Sequence, residues 1–411
     1  MSMANNVPDI RFRGFSGDLD NLVLGENSRL NKGQGFSKGD LVKTGTPIIL
    51  YGRLYTKYQV VISIVDTFVK ERSKSLKSIG GEVIVPASGE SPEDIARAAA
   101  VSESGVILGG DLNIIYPNKR IDPIYLALAL SHGRLKKEIS GKAQGKSVVH
   151  IKNSDLEDLE LLSPNKIEQT QIGNYFQKLD SLINQHQQKY DKLSNIKKSM
   201  LEKMFPKQGE TIPEIRFKGF SGEWEESNLA ECTDLLTGNP FNSKEFTSDG
   251  IFLVRGMNVK RGYLDTSSKT SEYWPSSKGL ERYLLEPEDI VIQMDGALIG
   301  KSYAKINSNN LPAILVQRVT RVRCSEVDPE FIYQYIQKDF LIHISGIKTE
   351  TAVPHLSLHD IRDFSVFLPE RPEQTAISNY FQKLDALINQ HQQQITKLNN
   401  IKQACLNKMF V

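Results

Sequence analysis

The stretch NYFQKLDSLINQHQQ occupies residues 174–188, and the stretch NYFQKLDALINQHQQ occupies residues 379–393. The two copies differ only in the exchange of Ser181 for Ala386, and they lie 205 positions apart. Self-similarity at a fixed offset is the mark of a repeated architecture. This segment therefore decides how the rest of the chain is divided.

The same offset of 205 relates other parts of the chain. Residues 7–17, VPDIRFRGFSG, match residues 212–222, IPEIRFKGFSG, at 8 of 11 positions, and residues 167–205 match residues 372–410 at 27 of 39. The sequence between these matching ends has little in common in the two copies. We interpret the chain as a tandem duplication in which constant frames flank two divergent inserts.

The long repeat has the pattern of a helix with one apolar stripe. Its apolar residues recur in alternating steps of four and three, the spacing of a coiled-coil seam, and no Pro or Gly follows Gly173 in either copy. At 1.5 Å per residue, each helix would be roughly 50 Å long. The predicted seam comprises Phe176, Leu179, Ile183, His186, Tyr190, Leu193, Phe381, Leu384, Ile388, His391, Ile395 and Leu398.

Polar Gln and Asn residues fill the other faces of both helices, so neither helix suits a buried position in a globular core. Two similar apolar stripes in one chain pack most simply against each other. The alternative is that each is an ordinary amphipathic helix docked on its own domain.

The inserts indicate mixed structure with many short strands, such as TPIILYG at residues 46–52 and EDIVIQM at residues 288–294. Turn residues separate these runs at close intervals, which is typical of an α+β domain. Short helices are predicted after Pro123 and Pro329, because an Asp precedes each Pro in the N-cap position.

The overall composition fits a soluble intracellular protein of two or three domains. The net charge is +2, so any basic surface must be local. The three cysteines, Cys232, Cys324 and Cys405, lie far apart, which argues against a disulfide framework and agrees with a reducing cytoplasm. No secretory signal or run of 18 apolar residues is present, so we expect a cytoplasmic protein without a membrane partner.

The motifs that would indicate catalysis are incomplete. MDGALIGKS at residues 294–302 is one residue too short for a phosphate loop and precedes strand-like sequence, so we predict a tight turn between strands. TGNPFN around Asn239 lacks the second Pro of an amino-methyltransferase motif, and no Asp/Glu-x-Lys nuclease triplet occurs. His355 and His359 are four apart without the carboxylate of a zinc helix, and we expect hydrogen-bonding roles for them.

Binding chemistry is more evident, because basic and amide residues recur in the turn-rich parts of both inserts. Lys and Arg suit phosphates, whereas Arg suits guanine and Asn or Gln suits adenine. The region that contains Lys142 is expected to be a flexible, Gly-spaced segment. The candidate DNA-binding residues are Lys32, Gln34, Lys38, Arg53, Tyr55, Lys57, Lys70, Arg72, Lys74, Lys142, Gln144, Lys146, Asn239, Asn242, Lys244, Arg255, Asn258, Lys260, Arg261, Lys348 and Thr349.

The ordered, duplicated set of motifs resembles the DNA-specificity subunit of Type I restriction-modification systems. The resemblance rests on the paired IRF-[RK]-GFSG starts, the segments SVVHIKNSDLEDLELLSP and AVPHLSLHDIRDFSVFLP, and the NYFQKLD-x-LINQ helices. It covers essentially the whole chain. It implies an α+β fold in which an antiparallel coiled coil of two long helices separates two globular target-recognition domains related by a pseudo-twofold repeat.

The resemblance sets the expected domain boundaries. Residues 1–163 would form the first recognition domain, residues 164–206 the first conserved helix and residues 207–211 a linker. Residues 212–368 would form the second recognition domain, and residues 369–411 the second conserved helix.

The resemblance also implies a division of labour in DNA methylation and phage defence. Each recognition domain would read one half of a bipartite, asymmetric site in double-stranded DNA, and the coiled coil would set the gap. The chain itself would be non-catalytic and hold no cofactor. It would recruit two modification subunits that methylate adenine with S-adenosylmethionine and two restriction subunits, with ATP and Mg also held by partners. A coiled-coil protein-interaction scaffold and a self-sufficient DNA enzyme with divergent motifs are the alternatives.

Overall fold

The computed structural model of the chain describes residues 7–345 and 355–410 and divides into two compact units. Unit 1 combines the chain up to Gln188 with the chain from Gln392 onward, and unit 2 is Lys189–His391. Both divisions fall inside a long helix. Each unit therefore contains one insert and a segment of both long helices.

The helices differ greatly in length, since two of them are several times longer than the rest. The α-helices of the described residues are α1 (Leu24–Asn27), α2 (Arg53–Thr56), α3 (Pro92–Ile95), α4 (Pro123–Ser131), α5 (Gly133–Lys142), α6 (Asn153–Glu157), α7 (Lys166–Lys203), α8 (Leu229–Cys232), α9 (Pro329–Tyr335), α10 (Leu341–Ser345), α11 (Leu358–Arg362) and α12 (Arg371–Met409), with a π-helical turn at Ile336–Phe340.

The strands are short in both units. Unit 1 contains β1 (Asp20–Val23), β2 (Ser28–Lys32), β3 (Leu41–Val42), β4 (Thr46–Ile49), β5 (Val61–Ile62), β6 (Phe68–Val69), β7 (Lys77–Ile79), β8 (Glu82–Pro86), β9 (Ser88–Gly89), β10 (Ala99–Val101), β11 (Ser104–Leu108), β12 (Leu112–Pro117), β13 (Val149–His150) and β14 (Glu160–Ser163). Unit 2 contains β15 (Glu225–Asn228), β16 (Asp234–Thr237), β17 (Ile251–Val254), β18 (Tyr273–Trp274), β19 (Ile290–Gln293), β20 (Tyr303–Lys305), β21 (Ala313–Leu315), β22 (Val319–Arg323) and β23 (Ser365–Leu368).

The two inserts share a sheet topology although their sequences diverge. Unit 1 has the order β2-β12-β8-β10-β5 in one sheet and β3-β6-β4-β11-β7 in another, whereas unit 2 has β16-β22-β19-β20 and β18-β17-β21. The first four strands of the larger sheets correspond, with antiparallel pairing at each step. The parallel pair β4–β11 likewise corresponds to β17–β21. Backbone hydrogen bonds and short runs of buried residues, which many sequences can supply, maintain this arrangement.

The predicted short helices are confirmed. Helices α4 and α9 begin at Pro123 and Pro329, and the carboxylates of Asp122 and Asp328 accept hydrogen bonds from the N–H groups two and three residues further on. These caps satisfy backbone donors that have no partner inside the helix.

The long helices α7 and α12 have the predicted amphipathic pattern. They contain 38 and 39 residues, which corresponds to about 57 Å each at 1.5 Å per residue. Every predicted seam position is buried or half-buried, including the fully buried Phe176 and Phe381. The seam is therefore the packed face of both helices.

Within each unit the two helices run antiparallel. In unit 1, Lys402 Nζ lies 2.5 Å from Asp180 Oδ1, and Tyr175, earlier on α7, contacts Cys405, later on α12. In unit 2 the equivalent ion pair, 205 positions away for both partners, joins Lys197 to Asp385 at 2.6 Å. The antiparallel coiled coil is thus observed segment by segment.

Part of each long helix also packs on an insert, which is the arrangement that the alternative interpretation expected. In unit 1, Phe176 belongs to the same core as Tyr125 of α4, and its ring centroid lies 6.2 Å from that of Phe410, the residue that follows α12. In unit 2, Phe205 lies 6.0 Å from Phe381 and 5.2 Å from Phe331 of α9. The helices therefore pack on each other and on the inserts.

The repeated IRF segment attaches each frame to its long helix. The guanidinium of Arg11 forms two hydrogen bonds to the buried carboxylate of Glu168, at 2.9 and 2.5 Å, and Arg216 bonds Glu373 in the same way at 2.8 and 2.5 Å. A forked guanidinium fits a carboxylate in this two-point geometry. The hydrogen bonds to Glu168 raise the pKa of Arg11 above its usual value.

Replacement of Phe381 by Ala is expected to destabilise unit 2 by about 3–5 kcal/mol, because a buried aromatic ring would leave a cavity. Both tryptophans, Trp224 and Trp274, lie in unit 2, and the ring centroid of Trp224 is 6.1 Å from that of Phe205, which packs on Phe381. Urea unfolding followed by tryptophan fluorescence therefore measures the effect. The matched control is Leu387→Ala on the same helix, at a residue that is 44% exposed, with an expected change within about 0.5 kcal/mol. Equal effects of both variants would contradict the seam.

Candidate nucleic-acid interface

Unit 1 has an open groove on its surface that gathers several of the predicted binding residues. The groove has a volume of about 860 Å³ and is lined by Phe36, Leu50 and Tyr51 together with Lys38 and Lys57. Lysine side chains beside apolar and aromatic groups match the chemistry of DNA, since the cations pair with phosphates and apolar groups contact the methyl group of thymine.

Arg72 braces one wall of this groove. Its guanidinium donates to Gly35 O at 2.8 Å, pairs with Asp40 at 2.5 Å and lies 4.5 Å from the centre of the Phe36 ring. The Ser37 N–H and hydroxyl bond the same Asp40 carboxylate, and these bonds and Arg72 lower its pKa. Arg72 is still exposed, so it can hold the loop and meet a phosphate.

Arg53 belongs to the interior rather than to the binding surface. Its buried guanidinium donates to Asp66 at 2.7 Å and to Ile64 O at 2.8 Å, and Lys57 reaches the same Asp66 carboxylate at 2.6 Å. The two cations, Lys57 foremost, hold the pKa of Asp66 well below its usual value. The prediction of a DNA contact for Arg53 is therefore corrected, because its guanidinium is buried and both of its NH2 groups bond inside the fold.

Tyr55 and Lys142 also have defined structural settings. The Tyr55 hydroxyl donates to Ser88 O at 2.7 Å, and burial raises its pKa well above the usual value. Lys142 is the last residue of α5, so the expectation of a flexible segment there is wrong for Gly133–Lys142.

Gln144 pairs through its main chain with His150. The exposed members of the predicted set in unit 1 are Lys32, Gln34, Lys38, Lys57, Lys70, Arg72, Lys74, Gln144 and Lys146.

In unit 2, two loops with predicted residues approach each other. Asn242 caps a short 3-10 turn by accepting from the Lys244 N–H at 3.1 Å. Arg255 donates to Thr270 O at 2.5 Å, and its guanidinium lies 5.7 Å from the centre of the Phe246 ring. Of the predicted residues in unit 2, Asn242, Lys244 and Arg261 are exposed, and Asn239, Arg255 and Lys260 are half-buried.

Asn258 is fully buried, which corrects its prediction as a base-reading side chain. Its amide donates to Asp265 O and Thr270 O at 3.0 Å each, and its carbonyl oxygen accepts from the Arg255 N–H. The amide therefore closes the loop from the inside. Lys348 and Thr349 lie outside the described residues.

The turn predicted at residues 294–302 and the hydrogen-bonding roles predicted for His355 and His359 agree with the structure. Residues 294–302 connect the antiparallel strands β19 and β20 and are not followed by a helix. His355 Nδ1 lies 3.1 Å from a guanidinium nitrogen of Arg318, and His359 lies 3.2 Å from Asp363. Across residues 7–345 and 355–410, no three His, Cys, Asp or Glu side chains come together as a metal site requires.

Two exposed turn residues were not among the residues predicted from the sequence. Asp111 precedes β12 with φ +57°, and Arg318 precedes β22 with φ +69°. Residues other than glycine rarely adopt this left-handed backbone. The available signal was the short polar break between two apolar runs, GGD at residues 109–111 and QR at residues 317–318.

A family model described as Type I restriction modification DNA specificity domain matches residues 21–195 and 221–400. The two matches take in most of the chain and correspond to its two copies. The chain belongs to this DNA-specificity family. The predicted family is therefore confirmed.

Individual relatives agree with the membership. The chain is 24% identical over 375 residues to the Type I restriction enzyme MjaVIII specificity subunit of Methanocaldococcus jannaschii, with 88% of this chain and 85% of that protein covered. It is 32% identical over 173 residues to the EcoAI specificity subunit of Escherichia coli, with 40% and 28% covered. The crystal structure of a Type-I restriction-modification S subunit from M. genitalium matches with a TM-score of 0.67 at 15% identity over 98% of this chain and 99% of that one, which shows the shared fold.

As a member of the Type I specificity family, the chain is a DNA-recognition component of a restriction-modification complex and is not its catalytic subunit. The predicted α+β fold with two long helices and an internal repeat is confirmed. None of the helices in the described part of the chain is both long and apolar enough to span a membrane.

Mutation can distinguish a buried predicted residue of unit 2, Asn258, from an exposed one, Lys244. Asn258→Ala is expected to lower the free energy of unfolding by about 1–3 kcal/mol, because two carbonyls lose their buried donor. Lys244→Ala, at an exposed residue, is expected to leave unfolding unchanged while the slope of log affinity for DNA against log salt falls by about one. Unfolding is followed by tryptophan fluorescence and DNA affinity by titration at several salt concentrations. Normal stability of Asn258→Ala would contradict the buried role.

Proposed function

We propose that each insert reads one half of a bipartite, asymmetric site in double-stranded DNA. The observation that carries this proposal is the combination of two frames of repeated sequence with two inserts that share the central part of their sheet topology and differ in their surface residues. Similar frames would present both inserts to DNA in the same way, and different surface residues would recognise different bases. In this proposal residues 1–163 and 212–368 are the two recognition domains.

The surface chemistry of the inserts supports the proposal. In unit 1, Lys38 and Lys57 flank aromatic groove walls formed by Phe36 and Tyr51. Lysines and main-chain N–H groups suit phosphates, which position a protein on DNA, whereas amide and guanidinium side chains suit base edges, which specify sequence. Unit 2 offers the same classes of side chain on a different set of loops.

We further propose that the chain recruits two modification subunits and two restriction subunits. The duplication gives the chain two copies of each frame surface, which fits two copies of a partner. S-adenosylmethionine, ATP and Mg would be held by those partners and not by this chain. The partners would methylate adenine and cut DNA, and this chain would determine where.

The long helices provide a means of setting the distance between the two half-sites. Both α7 and α12 contain residues of unit 1 and of unit 2. Two reading elements on one face of B-DNA lie about one helical turn, roughly 34 Å, apart. Helices of about 57 Å can span that distance. We propose that the helix pair acts as the ruler for the unread gap.

The function is tested by expressing the chain with its cognate modification subunit and mapping methylated adenines by single-molecule sequencing. The expected result is one split motif, with two short halves around a fixed unread gap and a modified adenine in each half. Omission of the chain is the control and should abolish the methylation. Methylation that does not depend on the chain, or a single continuous motif, would refute the proposal and favour the protein-interaction scaffold.

The ruler is tested by inserting four residues after Gln188 and four after Gln393, the equivalent position of the second helix. About 6 Å of added helix should lengthen the gap by one or two base pairs, at roughly 3.4 Å per base pair. Both half-sites should remain unchanged in the methylation map. A four-residue insertion in the linker at residues 207–211 is the matched control and should leave the gap unaltered. Altered half-sites with an unaltered gap would contradict the ruler.

A further inference from the structure

The two inserts share one local structure although most of their sequences diverge. In unit 1, Gly33 donates to Leu112 O at 2.8 Å and Gln34 donates to Leu108 O at 3.1 Å. Residues 108–112 connect β11 to β12, and we call them strand turn 1. The segment after β2 therefore crosses strand turn 1 and places a glutamine beside it.

Unit 2 repeats this arrangement. Gly238 donates to Val319 O and Asn239 donates to Leu315 O, both at 3.1 Å. Residues 315–319 connect β21 to β22, and we call them strand turn 2. Gly238 and Asn239 are 205 positions after Gly33 and Gln34, so a glycine and an amide side chain recur at the same place in both units.

The glycines are required by the close approach of two backbones. A Cβ atom on Gly33 would lie 1.8 Å from Gly109 O, and one on Gly238 would lie 2.2 Å from the Val316 carbonyl. Only glycine tolerates such contact. Both inserts therefore require a glycine where the segment crosses the strand turn.

Each strand turn presents an exposed residue directly before its second strand, Asp111 before β12 and Arg318 before β22. In strand turn 2 the preceding residue, Gln317, is exposed as well. The carbonyl of Asp111 accepts from the Ala87 N–H at 2.8 Å, and the carbonyl of Arg318 accepts from the Met294 N–H at 2.9 Å. Both residues have the left-handed backbone described above. Strained backbone held by surrounding hydrogen bonds is typical of functional sites.

The two exposed side chains carry opposite charge and different surroundings. Asp111 lines the groove that contains Lys38 and Lys57, and its carboxylate has no hydrogen-bond or ion-pair partner among residues 7–345 and 355–410. Arg318 donates to His355 Nδ1 at 3.1 Å through one nitrogen, which fixes the guanidinium and leaves its other donors for a ligand.

We propose that Asp111 and Arg318 are specificity-determining residues that read base edges in the major groove, one in each half-site. A carboxylate accepts from the N4 amino group of cytosine, and a guanidinium donates to O6 and N7 of guanine. Gln34 and Asn239 lie beside them with the side-chain type that reads adenine. The inference rests on the proposed function and adds to it the residue and base class at one position of each half-site.

The backbone geometry offers a clean pair of variants, Asp111→Gly and Arg318→Gly. Glycine accepts positive φ without strain, so each variant removes the reading group while the fold is retained. Methylated adenines are mapped for the full chain co-expressed with its modification subunit. Asp111→Gly is expected to relax one C·G position in one half-site, and Arg318→Gly one G·C position in the other half-site. Discrimination at the affected position should fall by about 5- to 150-fold, and the gap should stay the same.

Two lysine variants serve as matched controls. Lys38→Ala and Lys244→Ala remove phosphate-type contacts from the same two units, and they are expected to weaken methylation at all sites without relaxing any position. The same uniform weakening by the glycine variants would overturn the inference, as would an unaltered motif or a change in both half-sites. If the unmodified chain gives no split motif, the proposed function itself fails. If it gives one and the glycine variants leave the motif unaltered, only the assignment of Asp111 and Arg318 fails.

Discussion

The structure depends on an exchange of helix ends between the two units. Phe205, near the end of the first frame, packs in unit 2 against Phe381, and Phe410, near the end of the second frame, packs in unit 1 against Phe176. Each core is therefore incomplete without the end of the helix that began in the other unit. Burial of aromatic rings supplies much of the favourable free energy of such a core. This requirement explains why the helix sequence occurs twice and why its apolar positions coincide.

The ion pairs between α7 and α12 determine the register and the relative orientation in which the two helices pack. A stripe of Phe, Leu and Ile residues can slide by one heptad with little change in buried area. The pairs Asp180–Lys402 and Asp385–Lys197 fix one register and one relative orientation. The same offset of 205 relates both partners of both pairs, so one charge pattern specifies two contacts.

Sequence periodicity predicted the helices, their seam and the duplication, because these depend on spacing along the chain. It did not predict the burial of Arg53 or Asn258, because burial depends on which residues from distant segments surround a side chain. Both residue types are typical of surface loops, and only the contacts with Asp66 or Thr270 show that their polar groups are already used. The common topology of the inserts was missed for a related reason. Apart from a glycine and an amide in the segments that cross the strand turns, the shared features are backbone hydrogen bonds that leave little trace in the sequence.

The two units also differ in how the insert is joined to the helix pair. In unit 2, Gln334 of α9 donates to Glu330 at 2.6 Å and to Asp385 of α12 at 3.1 Å. In unit 1, the positions of α4 that are equivalent to Glu330 and Gln334, one and five residues after the first proline of the helix, are occupied by the apolar Ile124 and Leu128. A buried polar network specifies one arrangement, since a shift would leave donors or charges without partners.

Apolar contacts at the same place tolerate small adjustments more readily, provided that the volume is conserved. A glutamine of each frame, Gln169 or Gln374, accepts from the main-chain N–H of the capping aspartate, and unit 2 adds a buried hydrogen-bond network where unit 1 has apolar contacts. The repeat constrains the backbone and leaves the chemistry of each contact free to differ. That freedom also applies to the strand turns, where one backbone position carries an aspartate in one unit and an arginine in the other.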